Sequence, residues 1–164
     1  MGRLLRAAAL LILCTFSQGV SARTVEFETT RVTSPDIALA PDGQTLVFSM
    51  LGHLFRLPSA GGTAEQLTFG PYYDNQPVFS PDGSQIAFTS DRDGSDGNIF
   101  VLHLSGDQLL QLTKEEHAGL PTWTPDGKSI IYLRYDISTR RRPSAVVSSI
   151  SAQGGMPDAL TDPS

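Results

Sequence analysis

Short runs of alternating apolar and polar residues, separated by turn sequences, fill the chain from about residue 34 onward. In the middle of the chain, Phe79, Ile86 and Phe88 alternate with small or polar neighbours on both sides of a turn at residues 81–83. Strands with one buried face show this two-residue period, whereas an amphipathic helix repeats every 3.6 residues. No sustained helical period occurs after residue 22, so the sequence predicts an all-β fold with few helices.

One sequence unit occurs three times. Its first mark is a Pro-Asp-Gly turn followed by alternating apolar residues, found at Ala40–Phe48, Ser80–Phe88 and Thr124–Tyr132. The Asp-Gly pairs lie 40 and 44 residues apart. A second mark, Leu-Thr five residues after a Gly or Asp, ends each copy at Leu67-Thr68, Leu112-Thr113 and Leu160-Thr161. Two separate marks that keep their register three times establish an internal repeat.

Each unit divides into four short strands. In the second unit, we predict strands at about 76–80, 84–90, 98–104 and 108–113. Four strands within 40 to 44 residues match the size of one β-propeller blade. The sequence therefore predicts about three blades of four antiparallel strands, at about 34–70, 74–115 and 119–163.

The Pro-Asp-Gly turns are predicted to be structural. Proline presets φ, aspartate caps the turn and glycine takes a positive φ. The residues with these capping and turning roles are Asp42, Gly43, Asp82, Gly83, Asp126 and Gly127. The bulky residues beside the turns are predicted to fill the core between blades; these are Leu39, Phe48, Phe79, Phe88, Trp123 and Tyr132. Stacking of a ligand on Trp123 or Phe79 is the alternative.

The first 22 residues have the pattern of a secretory leader. Arg3 and Arg6 give a basic start, an apolar run of ten residues follows at 7–16, and Val20-Ser21-Ala22 puts small residues where signal peptidase needs them. We therefore expect cleavage before Arg23 and a periplasmic or secreted protein. The apolar run is about half the length of a membrane-spanning helix, so we expect none. Residues 23–33 form an N-terminal segment in which 24–30 alternate like a strand.

Composition after cleavage excludes several classes of protein. The mature chain has 10 basic and 17 acidic residues, a net charge of −7, which argues against binding nucleic acid. Cys14 leaves with the leader, which excludes disulfides, zinc–thiolate sites and cysteine nucleophiles. With 40% hydrophobic and 18% charged residues, the chain is too apolar to be disordered.

The run Ser80–Arg92, Ser-Pro-Asp-Gly-Ser-Gln-Ile-Ala-Phe-Thr-Ser-Asp-Arg, resembles the repeats of TolB-type propellers, distant relatives of WD repeats. The resemblance covers roughly residues 34–163. It implies six or more blades in a ring, so three blades are about half of a six-bladed propeller. We therefore expect a missing C-terminal part of the same protein. A homodimer that completes the ring and a truncated gene are the alternatives.

Further motifs are similar to the amino-terminal propeller of large exported amidohydrolase-related proteins, where the propeller precedes a metal-dependent hydrolase barrel. These motifs are Leu51–Pro58, Gly61-Gly62, Asp74–Pro77 and Ser90–Gly94. Tricorn-like and prolyl-oligopeptidase-like peptidases carry similar blades. The resemblance implies a non-catalytic scaffold or substrate gate in an exported hydrolase. The alternative is a self-standing periplasmic propeller that binds another protein, as in the Tol–Pal system.

No catalytic or cofactor-binding residues are predicted in this chain. His53, His103 and His117 form no His-x-His pair, and neither a Gly-x-Ser-x-Gly elbow nor a phosphate loop occurs. The loop between the second and third strands is longest in the third unit, where Arg140–Arg142 form a basic triplet. We expect a solvated loop there, with contact to an acidic partner as the alternative.

The loop after the second strand of the second unit holds the candidate metal ligands. Asp91, Asp93 and Asp96 place three carboxylates within six residues, a composition that suits Ca²⁺. The loop departs from the EF-hand pattern, because Asp96 stands where glycine is required and Leu102 stands where a bidentate Glu is required. The favoured interpretation is that the aspartates cap turns and that Arg92 neutralises one of them.

Overall fold

Three groups of four strands account for the regular structure of the chain. The computed structural model describes residues 36–106, 108–114, 117–136 and 144–162, and these contain strands and turns but no helix. The described residues belong to one unit of the chain, 31–164. The predicted leader, the segment 23–33 and the triplet Arg140–Arg142 lie outside the described residues.

Each group forms one antiparallel sheet in which the strands follow chain order. The first sheet contains β1 (Ile37–Leu39), β2 (Thr45–Met50), β3 (His53–Pro58) and β4 (Glu65–Gln66). The second contains β5 (Asp74–Phe79), β6 (Gln85–Ser90), β7 (Asn98–His103) and β8 (Leu109–Gln111). The third contains β9 (Ala118–Trp123), β10 (Ser129–Asp136), β11 (Ser144–Ser151) and β12 (Asp158–Ala159). The predicted all-β fold of four-stranded propeller blades is confirmed.

The second sheet packs against the first through one of its faces. Ile86 pairs with Leu102 and Phe88 with Phe100 across β6 and β7, so these four side chains share a face. They are buried in one cluster with apolar residues of the first sheet, among them Val47 and Leu54. The Phe88 and Phe100 rings lie 6.0 Å apart at an interplanar angle of 30°.

The opposite face of the second sheet packs against the third sheet. Ala87, Ile99 and Val101 alternate with the residues of the first interface and are fully buried. Trp123 and Tyr132 of the third sheet belong to the same cluster. The second sheet is therefore covered on both faces, as the alternation of two apolar faces along β6 and β7 requires.

The predicted core positions next to the turns differ between sheets. Phe79 and Trp123 are only 8% and 9% exposed, and the indole Nε1 of Trp123 donates a hydrogen bond of 3.2 Å to the Val78 carbonyl. These contacts place Trp123 between two sheets, as the core interpretation requires. Leu39 at the equivalent position is 56% exposed and Phe48 is partly exposed. The expectation that Leu39 is core is wrong here, because its face of the first sheet is not covered by another sheet.

Candidate functional site

One end of the strands carries the connections between β2 and β3, between β6 and β7, and between successive sheets. The Pro-Asp-Gly turns lie at the other end, since neighbouring strands are antiparallel. Residues 91–97, here called the rim loop, connect β6 to β7 and contain the three candidate calcium ligands. The partners of these carboxylates decide what the loop can bind.

A buried ion pair anchors the start of the rim loop. Arg92 Nη2 lies 2.7 Å from both carboxylate oxygens of Asp74, whose side chain is fully buried. The Ser90 hydroxyl donates to Asp74 Oδ1 at 2.6 Å and accepts a hydrogen bond from Arg92 Nε at 3.0 Å. The expectation that Arg92 neutralises a loop aspartate is wrong, because its guanidinium is committed to Asp74 at the start of β5. The pair fixes the loop to two strands of its own sheet.

Three aromatic rings surround the same guanidinium. Its carbon lies 5.2 Å from the ring centre of Tyr72, 5.4 Å from that of Phe88 and 5.3 Å from that of Phe100. Cations are attracted to ring faces at these distances, and more strongly where water is excluded. Arg92 thus joins the rim loop to the hydrophobic core between the first and second sheets.

The middle of the rim loop is braced by Asp93. One carboxylate oxygen accepts hydrogen bonds from the Ser95 hydroxyl at 2.6 Å and amide at 3.3 Å. The other accepts from Asn98 Nδ2 at 2.7 Å and Gln111 Nε2 at 2.6 Å. Burial alone raises the pKa of Asp93, but the hydrogen bonds from Ser95, Gln111 and Asn98 together outweigh it and leave that pKa below its ordinary value.

The other two loop carboxylates point to different partners. Asp91 Oδ1 accepts a hydrogen bond of 2.7 Å from the Tyr73 amide, and Asp96 Oδ2 lies 3.4 Å from His117 Nδ1. Calcium needs six to eight oxygen ligands around one point. Nowhere in the described part of the chain do three or more His, Cys, Asp or Glu side chains come together as a metal site. The loop therefore does not fit Ca²⁺, and its aspartates act as hydrogen-bond acceptors.

Beside the rim loop lies a polar cleft between the second and third sheets, here called the rim cleft. It consists of two cavities of about 210 and 290 Å³ that share Asn75, Thr89 and Asp96. Tyr73 lines one cavity, and His117 and Tyr135 line the other. Asn75 Oδ1 is buried and has no hydrogen-bond partner within the described ranges. The cleft offers acceptor groups and tyrosine rings at the outer surface of this end.

The innermost strands are linked from sheet to sheet by side-chain acceptors. Asp36 Oδ2 accepts a hydrogen bond of 3.1 Å from the Gln76 amide, and Gln76 Oε1 accepts one of 2.9 Å from the Leu120 amide. The repeat spacing places these three residues at equivalent positions. Gln76 and Leu120 have φ values of 53° and 55°, and the register shifts beside them show a bulge in each strand. Each acceptor thus ties one blade to the next.

The predicted turn residues share one geometry. Gly43, Gly83 and Gly127 have φ values of 72°, 74° and 69°, a region that favours glycine. Asp42, Asp82 and Asp126 each accept a hydrogen bond from the backbone amide two residues later. Hydrogen bonds from the hydroxyl of Ser80 and from Ser84 lower the pKa of Asp82. The hydroxyl of Thr124 has the same effect on the pKa of Asp126.

The three histidines do not converge. His53 begins β3, His103 ends β7 and His117 precedes β9, so each belongs to a different region of the fold. His117 alone lines the rim cleft. Its φ of 69° is unusual for a residue with a side chain, and the backbone there brings the ring to Asp96.

Sequence reasoning did not identify the pairs Asp74–Arg92 and Asp96–His117. Their partners are 18 and 21 residues apart and lie on different strands or connections. A signal existed for the first pair only, because Asp74 and Arg92 both belong to motifs that carry the family resemblance. A lone histidine after a strand gives no indication of the carboxylate that it meets.

Comparison with known proteins identifies the fold family. The sequence model described as "Tricorn protease N-terminal beta propeller domain" matches residues 30–164. An uncharacterized peptidase of Bacillus subtilis, YuxL, is 28% identical over 119 residues, which are 66% of this chain and 18% of the relative. Tricorn protease homolog 1 of Streptomyces coelicolor is 30% identical over 107 residues, 62% of this chain and 10% of the relative. The chain thus spans a small part of both relatives.

Solved structures show the same fold. A TolB-type protein of Agrobacterium tumefaciens superposes with a TM-score of 0.70 at 22% identity, over 81% of this chain and 51% of that one. A puromycin-hydrolyzing peptidase of Mycobacterium tuberculosis gives a TM-score of 0.62 at 17% identity, over 79% of this chain and 22% of that one. In the part of the chain that the structure describes, no helix has the length and hydropathy needed to span a membrane.

Proposed function

This chain belongs to the family of tricorn protease N-terminal β-propeller domains, and from this premise we propose that it is the non-catalytic propeller part of an exported hydrolase of the peptidase type. There it acts as a scaffold or gate beside a catalytic domain. The observation that carries the proposal is the family match over 30–164, in a region that accounts for only 10–18% of the peptidase relatives. The relatives favour a peptidase over the amidohydrolase-related parent that the sequence motifs imply.

A rigid rim supports a role as scaffold or gate. The rim loop is held by the buried pair Arg92–Asp74 and by the hydrogen bonds to Asp93. Loops that are fixed at both ends position a neighbouring domain or restrict access to it more effectively than mobile loops. Export is supported by the predicted leader at 1–22, with its basic start and small residues at the cleavage site.

Two measurements test this function. The first is the coding sequence that follows residue 164 in the genome: we expect further blades and then a peptidase catalytic domain. A metal-dependent barrel with a His-x-His pair would support the amidohydrolase-related parent instead, and a stop codon directly after residue 164 would contradict both. The second is the intact mass of the protein after expression with its leader, where we expect the loss of residues 1–22. An uncleaved product in the cytoplasm would contradict export.

The rim cleft favours a second candidate function, a self-standing propeller that binds a periplasmic protein. Tyr73 is 60% exposed and the side chain of Asp96 is 79% exposed beside this cleft, so both can contact a partner. A photo-crosslinking residue at Asp96 and a control at Ser59, beside the Pro-Asp-Gly turns, would test it in the periplasm. One discrete adduct at Asp96 and none at Ser59 would support this candidate, and equal labelling at both would contradict it.

A further inference from the structure

The outward face of the first sheet repeats the face that the second sheet buries. Leu46, Phe48, Phe55 and Leu57 occupy the positions of Ile86, Phe88, Phe100 and Leu102, as the repeat spacing and strand pairing show. The Phe48 and Phe55 rings lie 5.8 Å apart, like their buried counterparts. In the second sheet this face is covered by the first sheet; in the first sheet it is partly exposed, with the neighbouring Leu39 56% exposed.

The third sheet has the complementary open face. Ile131 stands at the position of Val47 and Ala87, which are buried between sheets in the two preceding blades. Ile131, Leu133 and Val147 are each only partly buried, and Leu160 is 54% exposed. The chain therefore ends in two different apolar faces, and each has the pattern that covers the other type within the same molecule.

We propose that two copies of this chain close a single six-bladed ring, with the first sheet of each copy against the third sheet of the other. A closed two-fold assembly of this kind covers all four open faces with two equivalent interfaces. This goes beyond the proposed function, since it concerns what the three-sheet chain does by itself. The number of blades fits, because this chain accounts for 51% of the TolB-type protein of Agrobacterium tumefaciens.

The hydrogen bonds of the innermost strands favour the first sheet as the neighbour of the third. Within the chain, the amides of Gln76 and Leu120 depend on an acceptor side chain from the preceding blade. The leucine at 120 has no side-chain acceptor to offer to a following blade. A blade that follows the third sheet must therefore satisfy its own amide, and the amide of Asp36 already donates to Ser49 Oγ at 3.2 Å within the first sheet.

The turns show a matching vacancy. A Cβ atom at Gly83 would lie 3.5 Å from Pro41 of the preceding blade, and one at Gly127 would lie 3.6 Å from Pro81. At Gly43 no atom of the described residues lies within 4 Å of the same position. In the proposed ring, Pro125 of the second copy takes the place that Pro41 and Pro81 hold within the chain.

The molar mass of the purified protein in solution tests this proposal. The full chain is expressed with its leader, and light scattering after size exclusion is recorded over a wide dilution series. We expect the mass of two chains. Leu39→Glu on the open face of the first sheet and Ile131→Glu on that of the third are each expected to give one chain. The matched control, Leu110→Glu, lies outside both open faces at a residue that is 36% exposed, and is expected to leave two chains.

Fluorescence of Trp123, the one tryptophan of the chain, shows that each variant is folded, because this residue lies between the second and third sheets. A wild-type monomer would overturn the proposal and would favour further sheets of a longer product as the occupants of both faces. A dimer that survives Ile131→Glu but not Leu39→Glu would show two first sheets face to face, which also overturns the ring. Open polymers or aggregates would do the same, because a closed ring leaves no apolar face free.

Discussion

The first and second sheets carry the same apolar pattern in different surroundings. Phe48 and Phe55 stack at 5.8 Å and Phe88 and Phe100 at 6.0 Å, yet only the second pair is buried beneath another sheet and beside Arg92. The two sheets show that the pattern of a blade prepares a face for burial without deciding whether it is buried. The cover comes from the neighbouring blade.

The largest expected difference comes from the ion pair that the first sheet lacks. Arg92→Met leaves the Asp74 carboxylate fully buried without its partner, so the free energy of unfolding is expected to fall by about 3–5 kcal/mol. The control is Arg56→Met, which breaks an exposed pair with Glu65 in the first sheet and is expected to cost about 0–1 kcal/mol. Urea denaturation measures both. Equal losses for the two variants would show that burial of Asp74 does not determine the effect.

The aromatic pairs give the next largest effect. Phe88→Ala is expected to lower the free energy of unfolding by about 3–5 kcal/mol, because a fully buried ring leaves a cavity. Phe48→Ala is expected to cost about 1–2 kcal/mol, because part of its ring is already in water. Both are measured by denaturation in the Leu39→Glu background, where the proposed ring does not form. Similar losses at the two positions would show that the first sheet is covered in some other way.

The smallest expected effect concerns acid stability. The pKa values of Asp82 and Asp93 are lowered in the folded protein, so each carboxylate adds stability above its ordinary pKa of 3.8. That stability is lost as pH falls below 3.8 and through the folded-state values. Asp93→Asn is therefore expected to flatten the decrease in unfolding free energy below about pH 4. The matched control is Asp158→Asn on the exposed strand β12, where an unchanged pH profile is expected; an equal flattening there would contradict the assignment.

The blade unit was predictable from sequence because its causes are local. Glycine at 43, 83 and 127 permits the positive φ of each turn, and the aspartate before it accepts the amide two residues later. Alternation along β6 and β7 gave the two buried faces of the second sheet. The strand limits differ from the predicted ones by one or two residues at most strand ends, where hydrogen bonding between strands, and not side-chain pattern, sets the boundary.

The rim could be predicted only in part. The sequence placed Asp91, Asp93 and Asp96 in one loop and suggested either Ca²⁺ or turn capping. The structure directs them to Tyr73, to the group around Asn98 and Gln111, and to His117. Proximity along the chain did not produce convergence, because each carboxylate is drawn to the donor that its own backbone orientation brings within reach.

By itself, the sequence determined the repeat, the turn chemistry, the strands and the apolar faces, since each depends on residues that are close along the chain. Only the tertiary structure decided that Arg92 pairs with Asp74, that His117 meets Asp96 and that Leu39 remains exposed while Phe79 is buried. The physical reason is the same in all three cases. Burial and pairing depend on which sheet lies against which, and identical patterns in successive blades have different neighbours.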